Sequence, residues 1–340
     1  KKFLINNKKL ISKNSTGYLL KGKRISIDSK EDLKDAVEIL KNKKKFNKIK
    51  TLINKPGHLF RYRSFFERKI YFFISKYLHF RTYLIRRFNK NDKFKSFHDG
   101  YLKLNPEDLR LLDINTSEII SEIEKMLSKS KNEVNHNKPI NILLNSNDFN
   151  TESKTFKFIS NENFVNIISN YLGFIPLLTH ISFWHSPNKE TIEDSSQEYH
   201  LDHEDIKQVK GFFLIDDVTE DCGPTIFLNS KNSKKIIKKI NYKTNDNSKR
   251  INENLINQDY KKDKINCTGK KGTLYLLDTS RCFHCGSRKS INPRKILAFQ
   301  FITPFSTSLK WNWKNSEILD KPLWKNEKLS KLQKQIVGMN

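Results

Sequence analysis

The run Tyr199-His200-Leu201-Asp202-His203-Glu204-Asp205 lies among short, β-branched and aromatic segments of a 340-residue chain and carries two overlapping His-x-Asp pairs, His200/Asp202 and His203/Asp205. In extended backbone, residues i and i+2 project to one face. Either pair can therefore offer one imidazole nitrogen and one carboxylate oxygen to a single ion, and spacing alone does not choose between them. A third donor has to come from a distant part of the chain, and His284 in Arg281-Cys282-Phe283-His284-Cys285-Gly286 is the candidate. Two histidines and one carboxylate leave three positions of an octahedral iron open, room for a bidentate 2-oxo acid and for dioxygen. Arg294, at the head of a predicted strand beyond Asn292-Pro293, can hold the far carboxylate of such an acid through two parallel hydrogen bonds, which Lys does less well.

Working outward, Leu177 to Trp184, Lys210 to Val218, Thr225 to Leu228, Gly272 to Asp278 and Arg294 to Ile302 read as strands separated by turn-formers. Before them, Asn105-Pro106-Glu107-Asp108 starts a helix, residues 116–128 form an amphipathic helix, and residues 162–172 form another that ends at Gly173. A mainly β core behind helices is expected. The Lys/Asn-rich residues 231–264 read as a surface insertion with some helix, and residues 311–340, with Trp311, Trp313 and Trp324, as a C-terminal helical tail.

These residues carry a resemblance. Ser196 to Asp205, Lys207, Lys210, Leu214, Asp217-Val218-Thr219-Glu220 and Gly223-Pro224 resemble the phytanoyl-CoA dioxygenase family of iron(II)/2-oxoglutarate-dependent oxygenases. So do Gly272-Thr273, Asp278-Thr279, Phe283-His284, Gly286-Ser287-Arg288 and Arg294, and upstream Asp99-Gly100-Tyr101, Tyr171-Leu172-Gly173 and Trp184-His185-Ser186-Pro187. The similarity spans roughly residues 95–305. It implies a double-stranded β-helix, a cupin-like jelly roll of two antiparallel sheets with the site between them. It also implies His200, Asp202 and His284 as iron ligands, Arg294 as the cosubstrate arginine, and Gln197 as a wall of the cosubstrate pocket. The activity implied is oxidative decarboxylation of 2-oxoglutarate by O2 to succinate and CO2, coupled to oxidation of a small organic or a CoA-, phosphate- or lipid-linked substrate. Related halogenating enzymes replace the carboxylate ligand by a small residue, so Asp202 points to hydroxylation or another oxidation. After Gly223-Pro224 the family commonly continues Pro-Gly-Ser-His, whereas here Leu228-Asn229-Ser230-Lys231-Asn232 follows.

Composition sets the remaining bounds. Lys and Arg total 64 against 37 Asp and Glu, a formal charge of +27, and residues 1–100 alone hold 28 basic and 8 acidic side chains. That first part, with residues 1–94 outside the resemblance, reads as a basic and largely helical extension, with one helical piece near 32–41. From His58 to Lys90 it interleaves aromatic and basic residues, a pattern that suits packing, an anionic membrane surface or single-stranded nucleic acid. The competing function is accordingly a catalytically silent barrel that binds anionic lipid or nucleic acid through this region. The 24 Phe and 11 Tyr exclude a disordered chain. Four cysteines cannot frame a secreted protein of this size, and the first residues, which do not include Met, carry no apolar run of signal-peptide length, so a cytoplasmic setting is expected. Cys282-x-x-Cys285 lacks a second such pair and follows a strand, so a zinc or redox site is not expected there. His180 and His185 read as strand-end histidines.

Overall fold

The computed structural model describes residues 65–91, 95–130, 133–136, 138–187, 197–242, 250–286, 290–306, 318–319 and 321–339, together with four short strands nearer the N-terminus. Those strands are β1 (Leu4–Asn6), β2 (Lys9–Ile11), β3 (Leu19–Leu20) and β4 (Lys23–Arg24), paired β1 with β2 and β3 with β4. They lie in the part expected to be largely helical, with registers Asn6↔Lys9 and Leu20↔Lys23. The piece near 32–41 lies outside the described residues. Two helices follow, α1 (Phe65–Leu78) and α2 (Phe80–Arg86), joined through His79.

The remaining elements run β5 (Tyr101–Leu104), α3 (Pro106–Arg110), α4 (Thr116–Leu127), β6 (Asn141–Leu144), α5 (Lys154–Ile159), α6 (Glu162–Leu172), β7 (Leu177–Ser186), β8 (Gln208–Leu214), β9 (Ile226–Phe227), α7 (Ser230–Lys239), α8 (Glu253–Tyr260), β10 (Ile265–Asn266), β11 (Leu274–Leu277), β12 (His284–Cys285), β13 (Arg294–Ile302) and α9 (Lys331–Ile336). Local chemistry sets several boundaries. Asn115 caps α4 by accepting from the Ser117 amide, Asn161 caps α6 by accepting from Phe164, and Gly173 closes α6 in the left-handed region at φ 80°. Among the described residues no helix is long and apolar enough to cross a membrane.

Two antiparallel sheets make the core: a six-stranded one ordered β5-β11-β8-β13-β7-β6 and a small one ordered β10-β9-β12. Period-two alternation gives the large sheet two distinct faces. Phe213, Leu274, Leu276, Leu297, Phe299 and Phe301 pack outward among Phe156, Phe158, Phe164 and Ile168 of α5 and α6. Phe212, Leu214, Tyr275, Leu277, Ile296 and Ala298 face inward and pack with Phe227 and Cys267 beside the small sheet. This is a jelly roll, two antiparallel sheets with an apolar layer between them. Trp324 of the C-terminal part is fully buried and meets Phe156 at a ring separation of 5.5 Å; Trp311 and Trp313 lie outside the described residues.

One position shows how tightly the outward face is filled. A Cβ on Gly211, in the middle of β8, would stand 2.1 Å from the Phe299 ring opposite. Gly211→Ala is therefore expected to destabilise the fold by roughly 3 kcal/mol, the upper end for overpacking, and a chemical-denaturation midpoint measures it.

Candidate metal centre

The end of a short strand, an extended segment and a pinned loop build the site. His200 and His284 form an isolated antiparallel bridge in which each backbone N–H donates to the other's carbonyl, at 3.0 and 3.1 Å. Residues paired this way put their side chains on the same face, and here the two imidazole centroids are 4.3 Å apart. Two residues on, the Asp202 amide donates to the Thr279 carbonyl at 2.9 Å, so the His-x-Asp segment is held extended without belonging to a regular strand. The loop that brings His284 back is anchored at Asp278. Its carbonyl accepts from Arg281 and Cys282, and its carboxylate accepts from Ser280 Oγ and Tyr171 Oη, both at 2.6 Å.

Tautomers follow from the hydrogen bonds. His200 Nδ1 lies 2.8 Å from the Glu198 carbonyl and His284 Nδ1 lies 3.0 Å from the Cys282 carbonyl. Carbonyls only accept, so each Nδ1 carries the proton and each Nε2 presents its lone pair inward. His200 Nε2 is 3.9 Å from one Asp202 oxygen and His284 Nε2 is 3.7 Å from the other. One donor atom from each of the three residues lies within 4.8 Å of the others. The other pair does different work. Buried Asp205 accepts from the amides of Thr303 and Ile206, both at 2.7 Å, and neither His203 nor Asp205 belongs to the cluster.

Electrostatics favour the ligating protonation states. Burial, then the neighbouring His284, lowers the His200 pKa to about 3, and burial lowers His284 as well. For Asp202 burial pushes upward, but Lys210, His284 and His200 outweigh it and hold the carboxyl well below the usual range. Lys210 Nζ sits 2.6 Å from Asp202 Oδ2. Neutral imidazoles with inward Nε2 atoms, backed by carbonyls at Nδ1, are the donor set a divalent transition metal requires.

The inward face of the large sheet extends the site in both directions. At one end Arg294 pairs with Ser186 across β13 and β7, and its guanidinium donates to Thr225 Oγ1 at 3.1 Å and Ser186 Oγ at 3.4 Å. Burial lowers its pKa to about 10, so it is a cation at neutral pH. Gly286, two residues after His284, lies beside the buried guanidinium: a Cβ there would meet Nη2 at 3.5 Å, an ordinary contact distance. At the other end His180, Gln300 and Lys210 stand side by side on β7, β13 and β8. Burial, then Lys210, lowers the His180 pKa to about 4. Two buried donors on this face, Trp184 Nε1 and Gln300 Nε2, have no hydrogen-bond partner. A cation and unmet N–H groups on this inward face fit a bound ligand rich in oxygen acceptors, as a 2-oxo acid is.

Sequence reasoning placed His200, Asp202, His284 and Arg294 in the regions brought together here. Gln197 is fully buried. His180 was read as a strand-end residue, but it lies inside β7 on the inward face; the parity shared with Ser182, Trp184 and Ser186 is the signal that could have found it. Thr225, Gln300 and Lys210 as a neighbour of Asp202 were missed. Cys282 and Cys285 are buried, form no disulfide among the described residues and lie outside the metal cluster, and burial pushes the Cys282 thiol well above its usual range. The Cys282 sulfur is wedged against Gly100, at φ 92°, where a Cβ would approach it to 2.7 Å. Asp216 and Asp217 pair with Lys295 and Lys270 on the outside.

Residues 231–264 are more than a surface insertion. Asn229 Oδ1 accepts from the Asn232 amide and starts α7 at the point where the sequence leaves the family pattern. Ser233 of that helix accepts from the Phe283 amide at 2.9 Å, one residue before the ligand His284. Ile236 and Ile256 are buried with Tyr199, Leu201 and Phe283, while the lysines of α7 face solvent.

No protein-family model matches this chain, and no curated protein sequence matches it. Solved structures similar to it include the non-heme alpha-ketoglutarate-dependent epimerase SnoN from nogalamycin biosynthesis, at 10% identity and a TM-score of 0.39, covering 61% of this chain and 78% of that one. EctD from S. alaskensis, with 2-oxoglutarate and 5-hydroxyectoine, is similar at 13% identity and a TM-score of 0.42, covering 61% and 73%. HygX from Streptomyces hygroscopicus, with nickel, 2-oxoglutarate and hygromycin B bound, is similar at 13% identity and a TM-score of 0.39, covering 62% and 85%. At this level of superposition they carry no weight for the site, which rests on its own geometry.

Proposed function

We propose that this chain is an iron(II)- and 2-oxoglutarate-dependent dioxygenase of the phytanoyl-CoA dioxygenase type that oxidises a C–H bond of a small organic substrate. One observation carries the reading: His200 Nε2, an Asp202 oxygen and His284 Nε2 converge within 4.8 Å between the sheets of a jelly roll. When bound, iron(II) with 2-oxoglutarate and O2 supplies the decarboxylation to succinate and CO2 and the oxidising power for the substrate. The protein's part is to bind, orient and exclude water. His200, Asp202 and His284 would hold the metal. Lys210 fixes the orientation of the Asp202 carboxylate through its second oxygen. Arg294, with Thr225 and Ser186 beside it, receives the far carboxylate of the cosubstrate, and Gln197 walls that pocket. The row His180, Gln300 and Lys210 faces the substrate, and its donors suit a substrate with oxygen acceptors or an anionic group.

An anaerobic titration of the purified protein with iron(II) and then 2-oxoglutarate tests this. The expected result is the visible charge-transfer band of a chelated 2-oxo acid. Failure of iron to bind would sink the reading and leave the silent barrel in its place.

A further inference from the structure

We propose that the outer side of α1 and α2 docks this protein on an anionic phospholipid surface. Among the described residues nine large apolar side chains are exposed, and five of them crowd onto these two helices. Phe73 and Tyr77, four apart on α1, are 63% and 74% exposed; Phe80 and Leu84, four apart on α2, are 57% and 58% exposed, with Ile85 beside them at 51%. Residues four apart share one side of a helix. Each helix therefore shows an apolar pair outward while its other side is already satisfied. Phe72 packs edge-on against Phe174 and Phe305, Tyr83 packs against Phe174, and Arg86 donates to the Gln335 carbonyl.

Charge says what covers the apolar side. Residues 65–91 contain seven Lys or Arg and one acid, Glu67. Lys69, four before Phe73, and Arg81, three before Leu84, are exposed next to the stripe, as is Arg87. A cavity of about 570 Å3 opens beside Ile85, between α2 and α9. Arg81, Arg86, Lys331 and Lys334 line it and no acidic residue does, although Lys334 also reaches Glu327. A strip of aromatic and aliphatic side chains edged by cations is the composition of a helix lying in a membrane interface, and the cationic cavity at its border suits a lipid phosphate. Single-stranded nucleic acid would use stacking faces, and Leu84 and Ile85 offer it none.

Docking there has a consequence for access. Ile206, four residues after Asp202, packs in the same cluster as Phe72, Phe174 and Phe305. The segment that carries the metal ligands thus rests on the helices that would meet the lipid. The proposal stands apart from the oxygenase reading, because the lipid surface and the triad use different residues.

Co-sedimentation of the full-length protein with phosphatidylcholine vesicles, with and without phosphatidylserine, is the test. Binding is expected only with phosphatidylserine and to weaken with added salt. The variant Phe73→Ser/Tyr77→Ser/Leu84→Ser is expected to bind about tenfold or more weakly while keeping the cooperative thermal melt of the unaltered protein, which reports an intact fold. Should that variant fail to fold, Lys69→Gln/Arg81→Gln/Lys331→Gln takes its place, and loss of the phosphatidylserine dependence is expected. No vesicle binding by the unaltered protein overturns the proposal. So does undiminished binding by the folded serine variant, which would assign the attraction to the Lys-rich first residues alone. A dimer that the serine variant splits into monomers also overturns it, because the face would then belong to a second copy.

Discussion

His284→Ala, His200→Ala and Asp202→Ala are each expected to lose measurable iron(II) binding and all substrate turnover. Residues that only support metal ligands typically cost 10- to 100-fold in affinity when replaced, and removing one of three protein donors costs more than that. The histidine variants should remain folded. What joins His200 to His284 is a backbone bridge, with N–H to carbonyl distances of 3.0 and 3.1 Å, and alanine keeps both hydrogen bonds. Asp202→Ala should be the most complete loss, for a second reason. In the native site Asp202 neutralises Lys210 at 2.6 Å. Without it, an ammonium faces any divalent ion between the imidazoles. A unit charge about 4 Å from another in a partly buried site is worth about 4 kcal/mol, and twice that against a divalent ion. Isothermal titration of iron(II) into each variant, beside a thermal melt that shows the fold retained, measures the effect. Native affinity in all three would remove the triad as the metal site.

How far the sequence announces this site depends on the length scale of each contact. The helices over residues 116–128 and 162–172 are legible because their stripes and caps are local, and Thr116–Leu127 and Glu162–Leu172 are where they form. The five segments read as strands overlap β7, β8, β9, β11 and β13 for the same reason, since alternation and turn-formers lie within a few residues; β7 runs on to Ser186 and β8 starts earlier, at Gln208. Choosing between the two His-x-Asp pairs needs more. Asp205 is taken up by the Thr303 amide, 98 residues away, and no local pattern reports that. The row His180, Gln300 and Lys210 is likewise invisible in one dimension. It exists only because β13 lies between β7 and β8 in one register, which shifts between Gln300 and Phe301. In the stretch 231–264 composition misleads. Its many lysines suggest a solvated insertion, yet one hydroxyl, Ser233, and two isoleucines, Ile236 and Ile256, join it to the His284 side of the site. The strand β6 was missed because Asn141-Ile142-Leu143-Leu144 is short and does not alternate.

Arg294→Ala is expected to leave iron(II) binding intact and to raise the 2-oxoglutarate requirement by at least 30-fold or so. The magnitude follows from removing one partner of a buried, charge-assisted pair, about 2–5 kcal/mol, at 1.4 kcal/mol for each tenfold. The guanidinium is rigidly placed: its Nη atoms donate to Thr225 and Ser186, and the strand pairing Arg294↔Ser186 fixes its base. Rigidity matters because two parallel hydrogen bonds to a carboxylate need the planar fork in one orientation. Arg294→Lys should therefore recover only part of the loss, since an ammonium restores the charge without the fork. Two readouts separate this role from a structural one. The KM for 2-oxoglutarate should rise far more than kcat falls. In the metal-loaded protein, 2-oxoglutarate should raise the melting temperature of the native chain, because a ligand that binds only the folded state stabilises it, and should do so far less for Arg294→Ala. An Arg294→Ala variant with an unchanged KM would place the cosubstrate carboxylate elsewhere on the inward face, and the donors left unmet there, Trp184 Nε1 and Gln300 Nε2, would become the next residues to replace.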